Sequence, residues 1–276
     1  MADLTPGVAS ALSPLIRRIV APNPSIMTGP GTNTYLVGID EVAVIDPGPD
    51  DAAHIEAIIG ASMRERVRWV LLTHHHLDHA PGAMRLSEAT GAEILAFGPP
   101  RSAGADWSPH RRLGDGETIE GTEWGLEVLY TPGHASDHLC FLLEEERVLF
   151  TGDTVLSGST TVINPPDGNM ADYLASLERI RKLRLSRICP GHGDVIDDPK
   201  ATIVEYIQHR LAREAQILEV VADGPVRIPD VVTRLYADVP EALHPWAARS
   251  VHAHLIKLKA EGKVSGRDLN SAWKAA

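Results

Sequence analysis

Residues 72–82, LTHHHLDHAPG, constrain this chain more than any other stretch of its 276 residues. They follow an apolar, β-rich run (67–72, VRWVLL) and precede a short helical stretch (82–90) ended by Gly91, so they read as a strand-to-helix loop. Four side chains of metal-ligand type, His74, His76, Asp78 and His79, fall within six residues. Imidazoles crowded around a carboxylate repel one another once protonated, and a cation held among them removes the conflict. Such donors suit zinc, with iron or manganese as alternatives. An expression tag is excluded by the internal position and by the interrupting Asp78.

Three later segments share one pattern: a strand, a glycine-containing turn, then a residue of ligand type. YTPGH presents His134, VLFTGD presents Asp153 and ICPGH presents His192. Strand ends with glycine turns converge on one sheet edge and let backbone approach a metal closely. Strands are expected at 35–38, 42–45, 67–72, 93–97, 125–130, 138–143, 148–150 and 187–189, and helices at 50–61 (capped by Asp50), 82–90 and 171–185. Runs of strands with interspersed helices suggest two packed sheets covered by helices. Residues 98–116 read as a surface loop. The pattern then changes to a long helix (199–222) halted by Asp223-Gly224-Pro225, helices at 228–236 and 247–261, and a closing hairpin in 263–276. That outline is winged-helix-like and divides the chain into a catalytic domain, 1–200, and a C-terminal domain, 201–276.

The net charge of −11 and pI near 5.6 exclude nucleic-acid binding by bulk electrostatics. The imbalance is local: residues 1–200 hold 16 basic against 28 acidic side chains, and the remainder ten against nine. A basic run (Arg179, Arg181, Lys182, Arg184, Arg187) and scattered cations (Arg249, Lys257, Lys259, Lys263, Arg267, Lys274) leave phosphate contact open, while 5% aromatic residues argue against extensive base stacking. Cys140 and Cys189, the only cysteines, form no disulfide framework and suit a reducing compartment. The opening residues lack a basic segment followed by an unbroken apolar one, and no run reaches membrane-spanning length, so a cytoplasmic protein without a membrane partner is expected.

The ordered set His-x-His-x-Asp-His, His, Asp, His resembles the metallo-β-lactamase superfamily. The resemblance implies an α+β fold, the αβ/βα four-layer sandwich, with two Zn2+ ions on its open edge. His74, His76 and His134 would hold one ion, Asp78, His79 and His192 the other, and Asp153 would bridge them. A hydroxide shared by the ions would attack the substrate, with Asp78 orienting it. Asp46, in IDPGP, and Thr73 would brace the histidine loop, with Thr131 in a similar role. Asn33, Thr34, Thr160 and Thr161 would lie beside the site, and His209 and His254, with Arg210 and Arg213, are further candidates for substrate contact. His75 is expected as pocket wall, His138 as a packing or bracing group, and His54, His110, His244 and His252 at the surface. True zinc β-lactamases place cysteine at the Asp153 position or lack the bridging carboxylate, and di-iron redox relatives carry a carboxylate where His76 stands.

GTNTYLVG (31–38), TTV (160–162), YIQHRLAREAQIL (206–218) and HLIKLKAEGKV (254–264) resemble the lactamase-beta-like protein 2 family, whose members include a single-strand-specific endoribonuclease. Single-stranded RNA is therefore the first expected substrate. The alternative is a thioesterase acting on acyl-carrier or acyl-coenzyme A thioesters. A third reading is a non-catalytic nucleic-acid-binding protein with structural metals, against which stand the coordination positions that seven ligands leave open on two ions. A homodimer is compatible with the sequence.

Overall fold

The computed structural model describes residues 4–99 and 107–276, and residues 100–106 of the expected surface loop lie outside them. The described residues cluster into two compact units. The first comprises the chain up to Thr131, Asp137–Thr160 and Arg184–Lys200, and the second Pro132–Ser136, Thr161–Leu183 and Ala201–Ala276.

In the first unit, β1 (Ser10–Ala11), β2 (Ile16–Val20), β3 (Asn33–Val37), β4 (Glu41–Ile45), β5 (Arg66–Leu71), β6 (Glu93–Ala96) and β7 (Arg111–Arg112) form one seven-stranded sheet in sequence order. Pairing is antiparallel as far as β4 and parallel from β4 to β7. The change comes where α1 (Ala52–Ala61) and α2 (Gly82–Thr90) supply the crossovers that parallel neighbours need. A second sheet follows the order β12 (Arg187–Pro190), β11 (Val148–Gly152), β10 (Leu139–Leu143), β9 (Gly125–Tyr130) and β8 (Thr118–Glu120).

The two-residue periodicity of strands assigns the side chains to layers. Tyr35, Val37, Ile45 and Leu71 face inward and meet Leu126, Val128, Phe141 and Phe150 of the second sheet. Leu36, Val42, Val44 and Val70 face outward and are covered by Ile55, Ile58, Ala83 and Leu86 of the two helices. Burial on both faces explains why VAVI (42–45) and LCFLL read as unbroken apolar runs.

Sequence and structure differ at several element ends. Asp51, not Asp50, caps α1, its carboxylate accepting from the His54 amide at 2.8 Å. The helix expected to reach 185 ends at Ile180. Strand β2 (IRRIV) was not expected, because Arg17 and Arg18 break its apolar pattern, yet Arg18 is fully buried.

The second unit contains α3 (Met170–Ile180), α4 (Pro199–Ala222), β13 (Val226–Arg227), α5 (Ile228–Leu235), α6 (His244–Ala260), β14 (Val264–Ser265) and β15 (Ala272–Ala275). Its three short strands pair in the order β13-β15-β14, so the closing hairpin forms the wing. Ile217, Val221, Val231, Val251, Leu255 and Leu258 surround Trp273, which has no exposure and donates its indole N–H to the Asp268 carbonyl at 3.0 Å. The ring passes so close to Gly266 that a Cβ there would lie 2.3 Å from it. Among the described residues no helix is long and apolar enough to cross a membrane. Trp273→Ala removes the centre of this core and is expected to cost about 3–5 kcal/mol, read as a lowered urea midpoint for the C-terminal unit.

Candidate metal centre

Parallel pairing of β4 with β5 brings Ile45 opposite Leu71 and so sets Asp46 and the loop from Leu72 onward at the same sheet edge. Asp46 adopts φ 50°, a left-handed conformation that costs a non-glycine residue on the order of 1–2 kcal/mol. What offsets the cost is where the carboxylate then points. Oδ1 accepts from the Thr73 amide at 2.8 Å, and Oδ2 accepts from Thr73 Oγ1 at 2.7 Å and from His79 Nδ1 at 2.9 Å. With its proton committed to Asp46, Thr73 Oγ1 can only accept from His74 Nδ1, 2.9 Å away. His192 Nδ1 lies 3.2 Å from the Gly31 carbonyl, which likewise only accepts. In its neutral form each of these three rings therefore carries its proton on Nδ1 and presents Nε2 as the lone pair.

Two of those nitrogens converge. His79 Nε2 and His192 Nε2 are 3.3 Å apart, each is 3.4 Å from Asp153 Oδ1, and Asp78 Oδ2 lies 3.6 Å from the first and 3.2 Å from the second. Facing lone pairs at that distance repel unless a cation lies between them. The ligand atoms of Asp78, His79 and His192 all lie within 4.8 Å of one another, as do those of His74, His76 and Asp153. Asp153 is thus shared between two neighbouring donor groups. Burial pushes Asp78 up, but His79 and His192 together outweigh it and hold the carboxyl below its usual range. Burial likewise opposes protonation of His79, and Asp78, Asp153 and Asp46 together reverse that, raising the imidazole well above its ordinary value. A pocket of acids and imidazoles that stabilises positive charge fits divalent ions. The backbone at Gly191 passes close to these side chains, since a Cβ there would sit 2.7 Å from Asp153 Oδ1 and 2.8 Å from His79 Cε1.

Several residues occupy places other than those expected. Asn33 is not a substrate contact: it is 1% exposed, and its Nδ2 donates at 2.9 Å to the carbonyls of both Pro190 and Gly193, clamping the turn that carries His192. Thr34 is buried on β3, donating to the Asp46 carbonyl at 2.6 Å while accepting from His54 Nε2 at 2.8 Å. His54 is therefore no surface residue but a buried prop beneath Asp46, with 1% exposure. His75 turns to Asp137 at 2.8 Å, and His76 Nδ1 lies 2.9 Å from His74 Nε2. His138 is fully buried, stacks on His74 with centroids 5.0 Å apart, and accepts from the Asp153 amide at 3.2 Å, which fixes the loop of that carboxylate. Sequence reading missed Arg18, whose Nη1 reaches Asp194 at 3.3 Å beside the His192 turn; a lone arginine in a strand carries no such signal.

In the second unit, His134 Nδ1 lies 2.8 Å from the Val162 carbonyl, which fixes its tautomer in the same way and leaves Nε2 unprotonated. Thr160, in the first unit, is exposed, Thr161 is buried and His209 is half-buried. His254 has no exposure and faces Glu214 at 3.4 Å.

Residues 27–192 match the model of the Metallo-beta-lactamase superfamily. The chain belongs to that superfamily. Residues 228–273 of this metallo-β-lactamase relative match the Beta-lactamase associated winged helix domain, so the α+β class and the winged-helix outline hold. A "Beta-lactamase-like protein 2 homolog" of Drosophila melanogaster is 37% identical over 95% of this chain and 93% of its own length. An "Atrochrysone carboxyl ACP thioesterase" of Aspergillus fumigatus is 35% identical over 75% of this chain and 65% of its own. The crystal structure of a metallo-beta-lactamase family protein from Thermus thermophilus superposes with a TM-score of 0.80 at 26% identity, covering 96% of this chain and all of that one. The superfamily and these relatives make the protein a metal-dependent hydrolase.

Asp46→Asn keeps the size of the side chain but sets an amide donor against groups that need acceptors. It is expected to weaken metal retention about 10–100-fold in chelator competition. A second expectation concerns His54, whose pKa burial pushes down to about 4, against a small opposing effect of Asp51. Below pH 6.5 the unfolded chain takes up a proton that the folded one refuses until about pH 4, so this contribution to stability is lost as pH falls. Between pH 7 and pH 5 the wild type should lose about 2 kcal/mol more than His54→Gln in denaturant titrations.

Proposed function

We propose that the protein is a two-zinc hydrolase that cleaves phosphodiester bonds of single-stranded RNA. In this reading His74, His76 and His134 hold one ion, Asp78, His79 and His192 the other, and Asp153 both. Bound there, the ions supply Lewis acidity to the scissile group and activate water for attack. The chain's own residues do the rest. Asp78, whose side chain keeps 30% exposure, orients the attacking water and accepts its proton. His138 and Asn33 hold the loops of Asp153 and His192, and Asp46 fixes the tautomers of His74 and His79.

The observation that carries the RNA reading is the extent of kinship. Similarity to the Beta-lactamase-like protein 2 homolog runs through both units and almost the whole of that protein, whereas similarity to the fungal thioesterase covers 75% of this chain. An open ligand loop supports it: Leu77, between His76 and Asp78, is 83% exposed, which leaves the edge accessible to a polymer. Acyl-thioester hydrolysis is the second reading, favoured by relatives that bear thioesterase names.

Metal analysis of zinc-replete protein should give two ions per chain. The loaded enzyme should cut single-stranded RNA, spare duplex RNA, and lose about 100-fold or more of its kcat in Asp153→Ala. Background RNA cleavage beside rapid turnover of an acyl thioester would replace the first reading with the second.

A further inference from the structure

In the second unit, helices α4 and α6 turn cationic and imidazole nitrogens toward one another, with Glu214 as the carboxylate among them. Arg210, on α4, is 3% exposed. Its Nη2 donates to the Thr161 carbonyl and its guanidinium lies 5.3 Å over the Tyr173 ring, but among the described residues no carboxylate pairs with it. One turn further, Arg213 donates to the Leu235 carbonyl and lies 4.0 Å over the Tyr236 ring, again without a carboxylate among the described residues. Helix α6 contributes His254, and one turn earlier Ser250, whose hydroxyl accepts from the Ile163 amide at 3.3 Å. Residues 161–163 therefore touch both Arg210 and Ser250, giving the cluster a third wall.

Four nitrogens here are buried with no hydrogen-bond partner among the described residues: Arg210 Nε, Arg213 Nε, His209 Nδ1 and His254 Nε2. The groups lie within electrostatic reach of one another, since burial and then Arg210, Arg213 and His254 all depress His209. Glu214, the carboxylate at this place, is already engaged by Lys257 at 2.8 Å and by His254 Nδ1 at 3.4 Å. Buried cations without a counter-charge are costly, and carbonyls and ring faces offset only part of that cost. Guanidinium groups with unused N–H donors match the oxygens of a phosphate group. With Nδ1–H turned to Glu214, His254 Nε2 is a lone pair suited to accept from a protonated phosphate oxygen.

We infer that His209, Arg210, Arg213 and His254 form a binding subsite for a phosphate group, separate from the metal ligands. The two arginines supply the charge, and the imidazoles complete the wall. An RNA backbone and the phosphates of coenzyme A both present this group. The inference goes beyond the RNA-cleavage reading and does not depend on turnover.

Calorimetric titration of the full-length, metal-loaded protein with inorganic phosphate tests it. A binding event is expected that survives Asp153→Ala and weakens about tenfold in Arg210→Gln and in Arg213→Gln. Arg213, only half-buried, decides the matter if the Arg210 variant does not fold. Titration with a short non-cleavable single-stranded RNA analogue and with coenzyme A then names the source, because only the ligand that uses the subsite should lose affinity in Arg213→Gln. Phosphate affinity within about twofold of wild type in the arginine variants overturns the inference. So does a phosphate event abolished by Asp153→Ala, which would assign it to the metal centre, or unchanged affinity of both larger ligands.

Discussion

One buried carboxylate organises the first unit. Asp46 closes β4, binds the chain just beyond β5 through the Thr73 amide, and takes the Nδ1 proton of His79. Its grip on the Thr73 hydroxyl reaches one step further, to the tautomer of His74. Hydrogen bonds to a charged acceptor stabilise by roughly 1.5–3 kcal/mol each, so three of them outweigh one left-handed residue. The consequence is chemical as much as structural: the lone pairs of two imidazoles are oriented before any ion arrives. Beneath Asp46, Thr34 and His54 form a second tier that fixes its carbonyl.

The sequence made much of this legible where neighbours in sequence are also neighbours in space. The loop 72–82 declared its ligands because they lie within a few residues of one another, and α4 was bounded correctly at Pro199 and Ala222 by a proline and by Asp-Gly-Pro. Strands buried on both faces announced themselves as apolar runs. Illegible were the roles that depend on partners far away. Asn33 clamps carbonyls 157 and 160 positions along the chain, and a threonine on another element turned His54 from an expected surface residue into a buried prop. Side-chain type shows what a residue can bond, and only the fold supplies the partner. Strand β2 was missed for a related reason: buried arginine is rare enough that two arginines in IRRIV read as solvent-facing.

Taken unit by unit, the charge balance acquires a meaning that the total of −11 conceals. In the first unit Asp46, Asp78 and Asp153 surround His79, which their combined field drives toward the protonated state. Two ions of charge +2 would more than neutralise these acids, leaving the centre attractive to an anionic or strongly polarised substrate. In the second unit the imbalance has the opposite sign, with Arg210 and Arg213 provided with backbone carbonyls and aromatic faces but, among the described residues, no carboxylate.

A protein interior seldom tolerates uncompensated charge of either sign, and the usual remedy is an internal partner. Among the described residues Arg210 and Arg213 do not take that remedy, although Glu214 stands one position from Arg213 and is instead paired with Lys257. Compensation from outside the chain is then the economical explanation for the two arginines, with an oxyanion in the place of an internal carboxylate.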